Sequence, residues 1–237
     1  MSSAFQNDFE SVIRSRHSVR YFDASHQLGE EEIKEILELA GTAPSSWNLQ
    51  HWKFLAITDA AAKEKLLPIA WGQKQVVDAS VTVAILGDLH ANRNAEAVYG
   101  PAIQTGAEDA FAGYSSHQLL LSQIEEAYQA DGAASYRRDE AIRNASLAAM
   151  QLMLAAKAKG LDSGPMVGFY QDAFVQAFHV PGRYIPGLLV AIGKAVKPAR
   201  PTSRFPVEQT VIWNGFEQQP GEHQRSSLAA ARMDAVQ

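Results

Sequence analysis

Residues 14–22 carry the densest polar chemistry of the chain: Arg14-Ser15-Arg16-His17-Ser18-Val19-Arg20-Tyr21-Phe22. In an extended stretch, Arg16, Ser18 and Arg20 share one face, because side chains alternate with a period of two. Two guanidiniums flanking a hydroxyl suit a phosphate or another planar anion, since Arg presents its donors as a rigid fork. A basic edge strand with solvated charges would show the same spacing. A second cluster follows: Ala43-Pro44-Ser45-Ser46-Trp47-Asn48-Leu49-Gln50-His51-Trp52. Its hydroxyls, amides and indoles could bond the edge of a heteroaromatic ring and cover the ring's face. A capped turn with two core tryptophans is the simpler reading of that loop alone.

Other chemistries are excluded or left without a signal. The chain has no Walker loop, GxGxxG, GxSxG or HExxH. Its 7 His never pair at helical spacing, so no metal site is expected. The absence of Cys removes disulfides, a Cys nucleophile, thiolate zinc and Cys-ligated iron–sulfur clusters. Glu125-Glu126 reads as a solvated helix face. With 21 basic and 26 acidic residues the net charge is −5, which offers no footprint for a nucleic-acid backbone. No apolar targeting segment opens the sequence, and the longest apolar runs are far short of the ~20 residues of a membrane span. The expectation is a cytoplasmic protein with neither nucleic acid nor membrane as partner. Asn144-Ala145-Ser146 matches a glycosylation sequon and carries little weight in that setting.

The elements that must position these residues follow from periodicity. A 46% hydrophobic, 20% charged chain of 237 residues folds and buries a core. Ile33, Ile36, Leu37 and Ala40 form the stripe of an amphipathic helix over 30–40, with Glu30, Glu31 and Glu32 at its positive end. Strands are expected at 52–58, 81–87 and 188–192, and helices at 60–70 and 172–178, the latter with Asp172 as a possible cap. The strongest helix spans 139–159 and stops at Gly160. Apolar residues nearly surround its second half, as in a central helix or one at a subunit interface. Residues 91–117 show no clear period and read as an excursion or lid, and 215–237 as a C-terminal extension. The order describes a mixed α/β arrangement with more helix than strand.

Two further segments complete a pattern: Gly72-Gln73-Lys74-Gln75-Val76-Val77-Asp78-Ala79-Ser80 before a buried strand, and Ser163-Gly164-Pro165-Met166-Val167-Gly168-Phe169 after the long helix. With the Arg-x-Ser-x-Arg triplet and the Pro-Ser-Ser-x-Asn-x-Gln loop in this order, the chain resembles the FMN-dependent nitroreductase family from about Phe9 to about Trp213. The likeness is strongest to its bacterial NAD(P)H nitroreductase and quinone-responsive branch. The resemblance implies an α+β fold with a central, mostly antiparallel sheet flanked by helices. It implies one domain over residues 1–214 and an intertwined homodimer with FMN at the subunit interface. It also implies ping-pong transfer of hydride from NADH or NADPH through FMN to a small oxidant, a nitroaromatic or a quinone. Different flavin chemistry on the same fold (reductive dehalogenation, O2-dependent flavin fragmentation) or a non-catalytic flavin-binding role are the alternatives.

Site residues carry over by motif. Arg16, His17, Ser18 and Arg20 match the first FMN motif, with Arg20 beside N1 and O2 of the flavin as an electrostatic group and no side-chain acid or base required. Pro44, Ser45, Ser46 and Asn48 match the loop that reaches FMN from the other subunit. Gln73 or Gln75 matches the polar contact to the ribityl chain or pyrimidine edge. Gly164, Pro165, Met166, Val167 and Gly168 match the turn that sets a backbone N–H near N5. Arg204 matches the late phosphate-binding Arg, with Lys194 a second candidate. Trp47, Trp71, Phe111 and Tyr114 are candidate pocket walls. The chain departs from well-known members in having Arg20 for Lys, Val167 for Glu and Thr202 for a second late Lys, and in a longer 91–117 excursion.

Overall fold

A computed structural model describes residues 9–104, 117–130 and 132–216. It divides into two compact units, residues 1–200 and 201–237. Four antiparallel strands form one sheet in the order β1-β2-β4-β3: β1 (Trp52–Ile57), β2 (Val81–Asp88), β3 (Asp162–Met166) and β4 (Tyr184–Gly193). The described helices are α1 (Phe9–Ser15), α2 (Glu30–Gly41), α3 (Ala60–Ile69), α4 (Gln75–Asp78), α5 (Ala95–Gln104), α6 (His117–Gln129), α7 (Ala133–Ala158) and α8 (Gln171–Ala177). This is the expected α+β class with a central antiparallel sheet.

The continuous apolar run of β2 is explained by cover on both faces. Val81, Val83 and Ile85 pack with Ile33 and Ile36 of α2 and with Ala148, Ala149 and Leu152 of α7. Ala84 and Leu86 point the other way, toward Leu66 of α3, Val76 of α4 and Phe174 of α8. A strand buried on both sides gains nothing from alternation, so every residue of β2 is buried. Small residues along α7 (Ala141, Ala145, Ala148, Ala149) let it lie close across the sheet. A third, smaller core joins Leu49 to Ala91, Ala95, Leu120, Ile124 and Tyr128.

Several expectations need correction. The long helix begins at Ala133, six residues before the expected start, because its polar first turns are held by tertiary partners such as Tyr128, whose carbonyl accepts from Arg137. Residues 162–166 form an edge strand, where a turn was expected; Ser, Gly and Pro give no strand signal, and pairing with β4 supplies the order. Asp172 lies in the first turn of α8 and Tyr170 stands at its N-cap position. Residues 91–94 form a 3₁₀ turn and 95–104 a helix despite Gly100 and Pro101. Asn144 of the sequon is buried, so it is no glycan acceptor in the fold.

Candidate functional site

The first half of the site is built on the outer edge of β3. After α1 the chain extends, and the Val19 N–H donates to the Ser163 carbonyl at 2.9 Å. A parallel bridge joins Ser18 to Ser163, and an antiparallel one joins Phe22 to Ala195. Val19 and Phe22 are buried, Ser18 and Arg20 are exposed, and Arg16 is half-buried beside them. Gly164 makes this docking possible: a Cβ there would lie 2.3 Å from the Val19 carbonyl oxygen. The Arg-x-Ser-x-Arg segment and the Gly-Pro-Met-x-Gly segment are thereby brought together.

β3 then leads into an exposed turn at Val167, and the next residues are held by the loop between α3 and α4. The Gln73 amide donates to the Gly168 carbonyl at 2.8 Å and to the Ala70 carbonyl at 3.0 Å, and Gln75 donates to the Gln73 side-chain oxygen at 3.2 Å. Trp71 lies on Gly168, where a Cβ would meet its ring at 2.5 Å. Trp71 has a φ of 58°, a costly conformation for a bulky residue, and it is 59% exposed. Its ring meets that of Tyr170 edge-on, with centroids 5.9 Å apart. Tyr170 was not singled out from sequence, since only its contact with Trp71 distinguishes it from any exposed aromatic.

The second half is the 44–51 loop. Trp47, Asn48 and Gln50 all have left-handed φ, at 47°, 50° and 52°. Such strain persists only where surrounding contacts over-determine it. The Ser45 hydroxyl accepts from the Gln50 N–H at 2.9 Å. Ser46 donates through its N–H to Asn144 at 2.9 Å and through its hydroxyl to the buried Glu140 carboxylate, both on α7. Arg143 pairs with the same carboxylate. On the other side, the Tyr99 hydroxyl donates to the Trp47 carbonyl at 2.7 Å and the Asn94 amide to the Leu49 carbonyl at 2.8 Å. His51 is fully buried, with Nε2 2.7 Å from the Tyr128 hydroxyl and Nδ1 without a partner among the described residues. Burial lowers the His51 pKa, which Glu140 and Asp88 offset in part; burial also raises that of Tyr128. Beside the loop lies a cleft of about 640 Å³ whose lining includes Asn48, Gln50, Lys53 and Asn94. Its floor is the bidentate Arg183–Asp88 pair, at 2.7 and 2.6 Å.

The two halves are far apart within one chain. The loop enters β1, one edge of the sheet, level with Gly87 near the end of β2. The arginine segment borders β3, the other edge, and Ser163 is level with Ile192 and hence with Val81 at the start of β2. Three inter-strand steps of about 4.8 Å separate these edges. The six residue steps from Val81 to Gly87 add roughly 20 Å along the strand.

Other expected site residues lie as follows. Pro165 and Met166 are within β3. His17 is exposed beside Ser18. The Lys194 ammonium donates to the Gly160 carbonyl at 2.7 Å, capping the end of α7. Arg204, in the second unit, donates to the Thr202 hydroxyl at 2.9 Å and the Ser203 carbonyl at 2.8 Å. Phe111 and Tyr114 lie outside the described residues, as does most of the 215–237 extension. Among the described residues there is no cluster able to hold a metal ion, and no helix is long and apolar enough to cross a membrane.

Comparison with known proteins identifies the family of the fold. The model of the Nitroreductase family matches residues 13–194. Bacillus subtilis YodC, named as an NAD(P)H nitroreductase, is 46% identical over 205 residues, which is 85% of this chain and 96% of that protein. A Lactiplantibacillus plantarum protein named CLA biosynthesis enone reductase is 31% identical over 202 residues, covering 84% of this chain and 91% of that one. An Exiguobacterium sibiricum nitroreductase solved in complex with FMN superposes with a TM-score of 0.80 at 34% identity, covering 88% of this chain and 98% of the other. The chain belongs to the nitroreductase family.

Proposed function

We propose that this chain is an FMN-dependent oxidoreductase, reduced by NADH or NADPH and reoxidised by a small nitroaromatic or quinone. The observation that carries the reading is the convergence of Arg16, Ser18 and Arg20 with the Gly164–Gly168 segment along one sheet edge. FMN, when bound, supplies the two-electron chemistry, taking hydride from the nicotinamide and passing it to the oxidant. The residues present fit it. Arg16 and Ser18 offer donors for its phosphate and ribityl chain. Arg20 places a fixed positive charge where reduction would build negative charge on the pyrimidine side. The Val167–Gly168 backbone would supply an N–H to the bound flavin. The Gln73 amide is already spent on two carbonyls, so Gln75 is the group for the pyrimidine edge. Trp71 and Tyr170 wall the open side, and Lys194 is left to cap α7.

Pro44, Ser45, Ser46 and Asn48 lie at the opposite edge of the sheet, so they serve the site of a second copy. A homodimer is the economical arrangement. Leu147 and Met150 on α7, with Phe9 and Ile13 on α1, leave an apolar surface to cover. Donor and oxidant use one pocket in turn, which gives parallel lines in steady-state kinetics; intersecting lines would replace ping-pong by a ternary complex. Enones belong among the oxidants to assay, given the relative named as an enone reductase.

The deciding experiment is the visible spectrum of the purified protein before and after NADH or NADPH without air. A flavin spectrum that bleaches supports the reading. A colourless protein that takes up no added FMN sinks it. Arg16→Ala is expected to weaken FMN binding by roughly one to two powers of ten, the worth of a charged hydrogen bond.

A further inference from the structure

The 44–51 loop is gripped from two sides, and only one grip comes from the main body of the fold. α7 holds Ser46 through Asn144 and Glu140. The second grip comes from the segment between β2 and α7. Residues 47, 49 and 51 each bond to it in turn: the Trp47 carbonyl to Tyr99 of α5, the Leu49 carbonyl to Asn94 of the preceding 3₁₀ turn, and the His51 ring to Tyr128 of α6. Leu49 is fully buried among Ala91, Ala95, Leu120 and Ile124 of that same segment. Asn92 of the 3₁₀ turn ties to Glu125 of α6 at 2.7 Å, so the segment is itself cross-braced.

These contacts sit where the backbone is strained. Trp47, Asn48 and Gln50 are left-handed, a conformation that non-glycine residues keep only where their surroundings compel it. The bonds fall on Trp47 itself, on Leu49 between the other two strained positions, and on His51 just after the last. We infer that the segment containing α5 and α6 is a brace: Tyr99, Asn94 and Tyr128 are positioning residues that hold the strained loop, and through it set Asn48 and Ser45 against the flavin of a second copy. The inference rests on the reading that this loop faces flavin. It assigns the described part of the excursion a fixed holding role, set by three bonds at alternate residues.

The test is equilibrium FMN binding to the full chain, followed by flavin fluorescence and by the position of the visible bands, with melting temperature recorded for each variant. Tyr99→Phe and Tyr128→Phe each remove one hydroxyl. Asn48→Ala reports on the loop directly, and the exposed Glu126→Ala on α6 is the control. Tyr99→Phe and Tyr128→Phe are expected to raise the FMN dissociation constant by about tenfold, the worth of one well-placed hydrogen bond. They should also displace the flavin bands in the same direction as Asn48→Ala, with Glu126→Ala unchanged. A purely structural hydroxyl would lower the melting temperature and leave the bands in place. If Asn48→Ala moves the bands while both Tyr variants match the parent, the brace is refuted and the flavin-facing loop stands. If Asn48→Ala also changes nothing, the loop does not face flavin and both fall. Should Tyr128→Phe fail to fold, because it strands the buried His51 ring, Tyr99→Phe at its half-exposed position decides alone.

Discussion

A methyl group on Gly164 would sit 2.3 Å from the Val19 carbonyl oxygen, inside any tolerable contact. The neighbour is backbone, so it cannot swing aside as a side chain would. Gly164→Ala is therefore expected to lift residues 17–20 off β3, costing about 1–3 kcal/mol and most of the FMN affinity together. Denaturant midpoints and flavin retention measured on one preparation check this; loss of stability with full flavin retention would contradict it. His51 gives a pH signature. Burial holds its folded pKa below the ordinary value. The unfolded chain therefore binds the extra proton more readily, and the stabilisation is complete above about pH 6.5 and declines as pH falls below it. Between pH 7.5 and 5.5 the parent should lose more melting temperature than His51→Gln; equal losses would dismiss the assignment. The arginine triplet stands out by its spacing, which a solvated edge strand would share, and only the later motifs gave it a role. His51 could not be told from any other His, since its partner Tyr128 is 77 positions away.

Elements were legible where local pattern and burial agree. α2 follows its apolar stripe, and β2 its continuous apolar run, because helices cover both faces of the sheet. β3 was hidden, since Asp-Ser-Gly-Pro-Met has neither alternation nor β-branching and owes its order to β4 and to Val19. The start of α7 was hidden for a related reason: Arg137 and Glu140 look like solvent-facing charges until their partners on other elements are known. α7 also serves as the anchor for the strained loop. Asn144→Ala would leave the Ser46 N–H without its acceptor and remove one of the two donors to Glu140 Oε2. An expected cost of roughly 2–3 kcal/mol follows from stranding buried polar groups. A urea midpoint lowered at constant slope checks it.

At the scale of the whole molecule, the exposed apolar residues of α1 and α7 are the feature a lone chain does not explain. Leu147 is 45% exposed and Met150 40%, on a helix whose other large apolar residues are buried or half-buried. Leu147→Glu would place a charge in a covered interface, and a charge left unpaired there is strongly unfavourable. By light scattering, the parent is expected at twice the 25.8 kDa chain mass and the variant shifted toward a single chain. Flavin should be lost as the dimer splits; a dimeric, flavin-bound variant would show that this surface faces water.

The diagonal placement of the two half-sites has a genetic consequence. In the proposed homodimer, a lesion at Arg16 and a lesion at Asn48 would damage different halves, so neither variant alone would have an intact site. When the two chains are refolded as an equal mixture, random pairing makes half of the dimers mixed. Each mixed dimer collects both lesions at one site and restores the other, so about a quarter of all sites recover full flavin binding. Two weakened proteins would thus complement each other in one tube, as no pair of lesions within a single-chain site can.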